Sequence, residues 1–274
     1  MKKTKKPELI TFLFIVPTLN SYKKLPKLID SLTNQTYGFW RCILVDGDSN
    51  EKHKKWVKSI VNKDQRFISI NENKNQRGIY PAMSKGYKSA FINDWIIFLG
   101  SDDWLASRNV ISSLAESISK NSIKKIDLLI SSTDLINPKT KKILRSHPIK
   151  SDIFIERERF LNLLFFGYMP NHQSLCFSYG LLGTLIPYSE DFDFASDNEL
   201  ILKLSLCKEF KRILFCTQKT INIEAGGISS KFILKRTLEV AKIYFKYYKL
   251  KFFIPFSLRY INRIRYKILN YKKI

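Results

Sequence analysis

Hydrophobic residues in the first half of the chain fall into short apolar runs that alternate with segments of helical periodicity. Residues 9–16 form a run interrupted only by Thr11, which predicts a strand buried on both faces, as in the centre of a parallel sheet. Further strands are predicted at residues 40–45, 67–70, 95–99 and 126–130. Apolar residues three and four positions apart predict helices at residues 25–32, 56–61, 79–91 and 110–118.

This alternation of strands and helices predicts an α/β fold with a mostly parallel central sheet flanked by helices. The second half of the chain is less regular. There we expect a polar hairpin or loop at residues 133–150, a helix at 156–166, an apolar segment at 174–177 and a helix at 197–206. Ser196 or Asp197 is expected to cap the last of these helices.

The composition is strongly basic but has enough apolar residues for a large core. The chain has 274 residues, 45% of them hydrophobic, and a formal net charge of +23. That apolar content excludes a disordered basic protein. The surplus charge indicates an anionic partner, such as nucleic acid, an acidic membrane surface or a phosphorylated substrate.

More than half of this charge lies in residues 231–274, which we call the tail. The tail has 13 Lys or Arg residues, one acid (Glu239) and eleven Phe or Tyr residues, a net charge of +12. Pro255 divides it into two predicted amphipathic helices. This composition is typical of helices that lie on an anionic membrane surface, and the alternative is a helical cover for the domain formed by residues 1–230.

The sequence lacks the motifs of several functional classes, which argues against those classes. The four cysteines form no CxxC pair, which argues against zinc and a disulfide framework and favours a cytoplasmic location. No GxGxxG or GxxxxGK[ST] motif occurs, which disfavours dinucleotide redox enzymes and P-loop proteins. No RNA- or DNA-binding motif accompanies the basic tail, so nucleic acid is not the expected partner. His53 and His147 lie among lysines and are expected to be solvated.

Polar loops follow three of the predicted strands, at residues 17–20, 46–50 and 101–103. Because ligands of such sheets bind at the carboxyl ends of the strands, we expect these loops to converge on one crevice. Asp102 and Asp103 are adjacent carboxylates of the kind that bind Mg²⁺ or Mn²⁺ together with phosphate oxygens; the alternative is a helix N-cap. The acidic cluster at Asp46 could accept hydrogen bonds from a base or a ribose, or form an ordinary turn.

The order and spacing of several motifs resemble the family 2 glycosyltransferases of bacterial polysaccharide synthesis, which have the GT-A fold. The matching segments are IVPTLN (15–20), ILVDGDS (43–49), RGIYPAMSKG (77–86), IIFLGSDD (96–103), ASDNEL (195–200) and EAGGIS (224–229). Pro81 stands where the family often has Asp, and Ser84 where it often has Asn. These departures weaken any inference about the donor sugar.

The resemblance implies roles for residues on the donor side of the site. Thr18, Asn20 and Asp46 would line the nucleobase and ribose pocket, with Asp48 nearby. Arg77 could help hold phosphate or base, although a solvated surface cation is the simpler interpretation.

On the metal and acceptor sides, the resemblance implies that Asp103 ligates a divalent cation, Mn²⁺ or Mg²⁺, that bridges the donor diphosphate. Asp102 would reach the ribose or the waters of the metal. Asp197 would be the general base that takes the proton of the attacking hydroxyl, the alternative being a helix cap. His172 and Glu190 would lie on the acceptor side, although a structural histidine and a solvated loop carboxylate are alternatives.

The activity implied by the resemblance is an inverting transfer of a hexosyl or hexosaminyl group. The expected donor is a nucleotide sugar, most simply a UDP-sugar, and the expected acceptor is a glycan, plausibly lipid-linked, in capsule, O-antigen or exopolysaccharide synthesis. The enzyme would then be peripheral at the inner face of the cell membrane. Two other hypotheses are a basic nucleic-acid-binding protein and a non-catalytic scaffold for glycan assembly.

Overall fold

The computed structural model describes residues 9–72, 78–121, 125–227 and 232–271, with side chains up to residue 265. The strands are β1 (Thr11–Thr18), β2 (Trp40–Asp46), β3 (Phe67–Asn71), β4 (Asp94–Phe98), β5 (Trp104–Leu105), β6 (Leu128–Ile136), β7 (Ile143–His147), β8 (Ile153–Glu156), β9 (Leu175–Ser178) and β10 (Arg212–Glu224). The helices are α1 (Leu25–Thr33), α2 (Glu51–Lys63), α3 (Ile79–Tyr87), α4 (Val110–Lys120), α5 (Arg157–Phe165), α6 (Tyr179–Leu185), α7 (Ser196–Lys203), α8 (Ile233–Tyr248) and α9 (Phe253–Tyr271).

The strands of the described residues form one ten-stranded sheet in the order β3-β2-β1-β4-β9-β6-β10-β5, with β7 paired to β6 and β8 to β10. Strands β3, β2, β1 and β4 are parallel neighbours. Strand β9 is antiparallel to both β4 and β6, and β10 runs parallel to β6. The predicted α/β fold is therefore confirmed, with a parallel first half and a mixed second half.

Strand β10 is the element that the sequence pattern does not reveal. It is 13 residues long, but its pairing with β6 shifts register at Cys216 and again at Lys219. Each shift breaks the two-residue alternation by which a half-buried strand is recognised. The hairpin expected within residues 133–150 is present, because β6 continues to Ile136 and β7 returns antiparallel to it.

The core has two parts, one on each face of the sheet, and β1 supplies both. Leu13 and Ile15 belong to the cluster covered by α3, α5, α6, α7 and α8. Phe12, Phe14 and Val16 belong to the cluster covered by α1, α2 and α4. All five side chains are 0% exposed, and each contributes about 1.5–3 kcal/mol by leaving water. This double burial explains why residues 9–16 read as a continuous apolar run.

The first tail helix, α8, is packed on the rest of the protein. Val240, Ile243 and Tyr244 are buried and belong to the same cluster as β1 Leu13. The tail divides near Pro255 as expected, and Pro255 falls in the first turn of α9, where its missing N–H costs nothing. No helix in the part of the chain that the structure describes is long and apolar enough to cross a membrane.

Helix α3 lies unusually close to the centre of the sheet at Gly86. A Cβ atom at this position would overlap Ile15 Cγ2 and approach Val45 Cγ2 to 3.2 Å. Because both neighbours are fully buried, neither has room to move. Gly86 therefore sets the distance between α3 and strands β1 and β2.

We expect Gly86→Ala to destabilise the protein by about 1–3 kcal/mol, the usual cost of overpacking a core. Alanine favours helix by up to about 1 kcal/mol over glycine, so the overlap outweighs the propensity gain. Gly180→Ala is the matched control, because Gly180 also lies in a helix and a Cβ atom added there would meet nothing within 4 Å. Urea unfolding of the two variants checks the prediction, which fails if both change stability equally.

Candidate functional site

The loops that follow β1 and β2 are joined by hydrogen bonds at the carboxyl edge of the sheet. Thr18 and Asp46, the last residues of these strands, are partners in the parallel register. Gly47 N donates to Thr18 O at 2.8 Å, and Asn20 N donates to Ser49 Oγ at 2.8 Å. The loop after β4 is tied to this pair of loops by the Lys24–Asp102 ion pair at 2.8 Å. The structure thus brings the three polar loops to one crevice.

The Asp46 carboxylate is buried at the floor of this crevice. It is 4% exposed, and its Oδ2 accepts a hydrogen bond from Ser49 N at 3.1 Å. Its Oδ1 has no hydrogen-bond partner and lies 3.5 Å from His53 Nε2. An unsatisfied buried carboxylate oxygen is costly, and a donor group from a ligand would satisfy it.

His53 is not solvated, contrary to the expectation from its lysine-rich surroundings. It is 0% exposed, neither ring nitrogen has a hydrogen-bond partner, and burial lowers its pKa against the opposing charge of Asp46. The helical periodicity of α2 directs its ring inward, while the neighbouring lysines face solvent. Asp46, His53 and Asn71 help line a cavity of about 470 Å³ between α2 and β3.

The other donor-side residues vary in their placement. Thr18 is buried next to Asp46, and Asn20 is exposed with a positive φ of 50°. Asp48 is exposed, and its carboxylate lies 3.3 Å from Lys54 Nζ. Arg77 lies outside the described residues.

Asp103 is a buried carboxylate in the loop between β4 and β5. It is 1% exposed and accepts a hydrogen bond from Gly100 N at 2.7 Å. Burial, and secondarily the charge of Asp102, raises its pKa to about 7, against hydrogen bonds from the backbone of Gly100 and Glu224 and the side chain of Gln173. The helix-cap alternative is wrong, since the next helix begins only at Val110.

The donor set at this position fits a hard divalent cation. A nearby cation would favour the ionised form of Asp103 that burial disfavours, and no ion pair of the described residues neutralises this carboxylate. Asp102, its neighbour, is bound to Lys24. The described residues include no group of three or more His, Cys, Asp or Glu that could hold a metal. Two carboxylates would therefore need oxygens from water and a substrate phosphate, which is the usual Mg²⁺ arrangement.

Asp197 lies at the start of α7, where α7 contacts α3. Its Oδ1 accepts hydrogen bonds from Tyr80 OH at 3.2 Å and from the backbone N and side-chain Nδ2 of Asn198, both at 2.8 Å. The predicted cap is wrong: the N-cap residue is Ala195, with no side-chain cap, and Ser196 Oγ instead donates to the backbone oxygens of Ser189 and Phe192.

His172 lies in an aromatic cluster beside Asp197. It is 6% exposed, its Nε2 is 2.6 Å from Tyr188 OH, and its ring stacks on Phe98 at a centroid distance of 5.2 Å. Burial lowers its pKa to about 4, and the charge of Asp197 acts in the opposite direction. His172 is therefore a neutral imidazole near pH 7. Glu190, the other predicted acceptor-side residue, is exposed.

Two tyrosines of this cluster and one buried acid were not among the site residues predicted from the sequence. Tyr80 and Tyr188 contact each other with ring centroids 5.3 Å apart, and Tyr188 N donates to Ser84 Oγ at 3.1 Å. Tyr80 and Ser84 belong to the segment at residues 77–86, so this motif was the available signal. Glu199 on α7 is 0% exposed and belongs to the segment at residues 195–200, which was the available signal for it.

Glu199 holds the tail against the helix that carries Asp197. Its Oε1 accepts hydrogen bonds from Lys246 Nζ at 2.8 Å and Tyr247 OH at 3.2 Å. A second carboxylate, Glu239 of the tail, accepts hydrogen bonds from the backbone N of Asp193 and Phe194. The loop before α7 and the helix itself are thus both fixed by α8.

The fold is shared by solved structures of nucleotide-sugar enzymes. It is similar to S. aureus TarS 1-349 in complex with UDP-GlcNAc, with a TM-score of 0.66, 19% identity, and coverage of 86% of this chain and 66% of that one. It is also similar to the mannosyltransferase PcManGT from Pyrobaculum calidifontis in complex with GDP-Man and Mn²⁺, with a TM-score of 0.59, 14% identity, and coverage of 91% and 69%. The fold is that of a GT-A glycosyltransferase.

The sequence comparisons identify the family. The model of glycosyl transferase family 2 matches residues 13–175, and the chain belongs to that family. A relative, the PGL/p-HBAD biosynthesis glycosyltransferase of Mycobacterium bovis (strain BCG / Pasteur 1173P2), is 27% identical over 233 residues, which cover 83% of this chain and 82% of that protein. The protein is thus a glycosyltransferase, as the sequence motifs predicted.

The lowered pKa of His172 predicts a specific pH dependence of stability. Between pH 6.5 and pH 4 the unfolded state binds a proton at this position that the folded state does not, so stability falls as the pH falls. A shift from 6.5 to about 4 corresponds to a loss of about 2 kcal/mol between pH 7 and pH 5. Urea unfolding at several pH values should show a shallower dependence in His172→Gln. Parallel curves for the two proteins would refute the assignment.

Proposed function

We propose that this glycosyltransferase moves a hexosyl or hexosaminyl group from a UDP-sugar to a glycan with inversion at the anomeric carbon. The proposal rests on two consecutive residues, His172 and Gln173, which connect the donor side of the crevice to the acceptor side. The side chain of Gln173 lies next to Asp103 on the donor side and lowers its pKa, while His172 contacts Tyr188 in the cluster that includes Asp197. These contacts support a site in which a carboxylate suited to a cation, Asp103, and a carboxylate suited to a base, Asp197, would act on the same substrate pair.

On the donor side, Thr18, Asn20 and Asp46 would bind the nucleobase and ribose. The unsatisfied Oδ1 of Asp46 is an acceptor suited to a base N–H or a ribose hydroxyl. Asp48 and Arg77 would be accessory contacts. A UDP-sugar is favoured because the TarS structures include complexes with UDP and UDP-GlcNAc.

Asp103, supported by Asp102, would hold Mn²⁺ or Mg²⁺ at the donor diphosphate. Such a cation, when bound, neutralises negative charge on the departing nucleotide. Neighbouring folds with Mn²⁺ in their complexes support a divalent cofactor. Within the protein, Lys24 holds Asp102 in place, so the two adjacent carboxylates are not equivalent and Asp103 is the principal ligand.

Asp197 would act as the general base. The acceptor hydroxyl attacks the anomeric carbon, the bond to the nucleotide diphosphate breaks, and the hydroxyl proton passes to the carboxylate. Tyr80 and Asn198 both donate to Oδ1, which fixes the orientation of the carboxylate and leaves Oδ2 to take the proton. His172, through Tyr188, would support this side of the acceptor pocket, and the exposed Glu190 would lie at its rim.

The acceptor is proposed to be a lipid-linked glycan in capsule, O-antigen or exopolysaccharide assembly, reached at the inner face of the cell membrane. The chain would consist of a catalytic unit, residues 1–230, and a docking tail, residues 231–274. One face of α8 is buried on the catalytic unit, and the opposite face is open. That open face carries Leu234 (81% exposed), Leu238 (65%) and Phe245 (50%).

The spacing of these three residues places them in one stripe along the helix. Exposed lysines border the stripe at positions 235 and 242. An apolar stripe bordered by cations fits a bilayer with anionic headgroups, where each basic residue near the surface is worth about 1 kcal/mol.

Substitutions of Asp103 and Asp197 should have different effects on donor binding and on donor turnover. We expect Asp103→Asn to lose Mn²⁺-dependent binding of UDP-sugars in calorimetry, because the principal cation ligand is gone. Asp197→Asn should bind the donor as the wild type does but hydrolyse it at least about 100-fold more slowly, the usual contribution of a general base.

The control for this experiment is Asp30→Asn, which removes an exposed helix carboxylate and should change neither property. Mn²⁺-dependent donor binding retained by Asp103→Asn would contradict the cation site. Wild-type turnover by Asp197→Asn would remove it as the base.

The docking face makes a separate prediction. Leu234→Gln with Leu238→Gln should weaken cosedimentation with vesicles of phosphatidylcholine and phosphatidylglycerol at least about fivefold. The reason is that the bound protein would lose two apolar side chains from the headgroup region. The matched control is Ile143→Gln with Leu144→Gln, two exposed apolar residues on β7 (55% and 53%). Equal effects of the two double substitutions would contradict docking by α8.

A further inference from the structure

Three arginines of the tail lie together at the packed side of α8 and α9. Arg236 is on α8, and Arg259 and Arg263 are four residues apart on α9, which places them on one face of that helix. Arg145, on β7 of the neighbouring hairpin, is close enough that its charge acts on Arg263.

Arg259 is unusual because its charge is buried without a carboxylate. The residue is 6% exposed, and its Nη1 lies 3.4 Å from Tyr244 OH. Its Nε is buried with no hydrogen-bond partner. The chain cannot simply move away, because Gly167 is packed directly on the backbone of Arg259 and has no room for a Cβ.

The pKa of Arg263 is consistent with a cluster of positive charges that no acid neutralises. Burial, followed by the charges of Arg259, Arg236 and Arg145, lowers its pKa to about 10, and Tyr260 is the group that opposes the shift. No carboxylate is among these causes. Within the described residues, Arg236, Arg259 and Arg263 form no ion pair with an acid.

The tail cannot supply the missing counter-charge. Its one acid, Glu239, is occupied by the backbone N–H groups of Asp193 and Phe194. Asp134, the acid that acts on the neighbouring His147, is paired with Lys219 at 2.9 Å. A buried, unpaired cation is destabilising, and an anion from outside the chain would offset that cost.

We propose that Arg236, Arg259 and Arg263 form a binding site for a phosphate group carried by a lipid. Guanidinium groups match phosphate oxygens by paired hydrogen bonds. Exposed apolar residues of the same helix, Phe253 (57%), Ile261 (43%) and Ile264 (57%), offer contact for the attached hydrocarbon. The phosphate belongs either to an anionic phospholipid or to the diphosphate of a lipid-linked acceptor.

The position of the arginine cluster fits either source of the phosphate group, a phospholipid or a lipid-linked acceptor. Strand β7, which carries Arg145, pairs with the end of β6, where His147 is opposite Thr133. Thr133 Oγ1 accepts a hydrogen bond from Asn171 Nδ2 at 3.0 Å, and Asn171 precedes His172. The cluster is thus connected to the acceptor side of the crevice. The inference rests on the proposed function only for the identity of an acceptor lipid.

Calorimetry without divalent metal, in the presence of chelator, tests the site with farnesyl diphosphate and inorganic diphosphate as probes. Wild-type protein should bind farnesyl diphosphate at least tenfold more tightly than inorganic diphosphate. Arg263→Gln should weaken that binding at least tenfold, and it is chosen because Arg263 is only partly buried. Arg265→Gln, an exposed arginine of the same helix, should change it less than twofold.

Vesicle cosedimentation distinguishes the two lipid sources. If Arg263→Gln weakens binding to phosphatidylglycerol vesicles but not to farnesyl diphosphate, the site takes phospholipid, and the reverse indicates the acceptor diphosphate. Equal behaviour of Arg263→Gln and Arg265→Gln with both probes would overturn the site. Wild-type protein that binds these lipids but no UDP-sugar would refute the proposed function and leave the site standing.

Discussion

The parallel pairing of β1 between β2 and β4 is the constraint on which the rest of the site depends. Because β1 is buried on both faces, its register cannot slip by one residue without exposing one half of the core to solvent and burying polar groups in the other. That register puts Thr18 opposite Asp46 and Ile15 opposite Phe98. The loops after all three strands must then leave the sheet at the same edge. The polar loops lie together because the apolar strands that precede them are neighbours in the sheet.

The buried charges of this protein are of two kinds, those with a partner of opposite charge and those without one. At the opposite edge of the sheet, Asp94 is 1% exposed and is neutralised by Arg41 Nη2 at 2.6 Å. Glu199 is neutralised by Lys246. Asp103 and Arg259, which are 1% and 6% exposed, have no partner of opposite charge among the described residues. Because a buried charge without a partner is costly, these two are the positions at which an external ion is expected.

The parallel half of the fold and the polar loops at the ends of its strands could be predicted from the sequence because both depend on local patterns. Continuous apolar runs mark strands buried on both faces, and Asp–Gly clusters mark where they end. Contacts between distant elements were not predictable in the same way. Tyr80 meets Asp197 across 117 residues, and that contact depends on how closely Gly86 lets α3 approach the sheet. The burial of His53 depends on which face α2 turns inward, which its many lysines obscure.

The basic tail, which looked from the sequence like one surface, is divided by packing into parts with different roles. Lys246 forms an ion pair with Glu199 of α7. The lysines near Leu234 and Leu238 face solvent, and Arg259 is buried. Helix α8 therefore contacts α7 on one side and leaves an apolar stripe on the other. Packed helices lie about 8–10 Å apart, so a surface bound by α8 would hold α7, and with it Asp197, at a fixed short distance. In such an arrangement the net charge of the tail matters less than the helix face on which each cation lies.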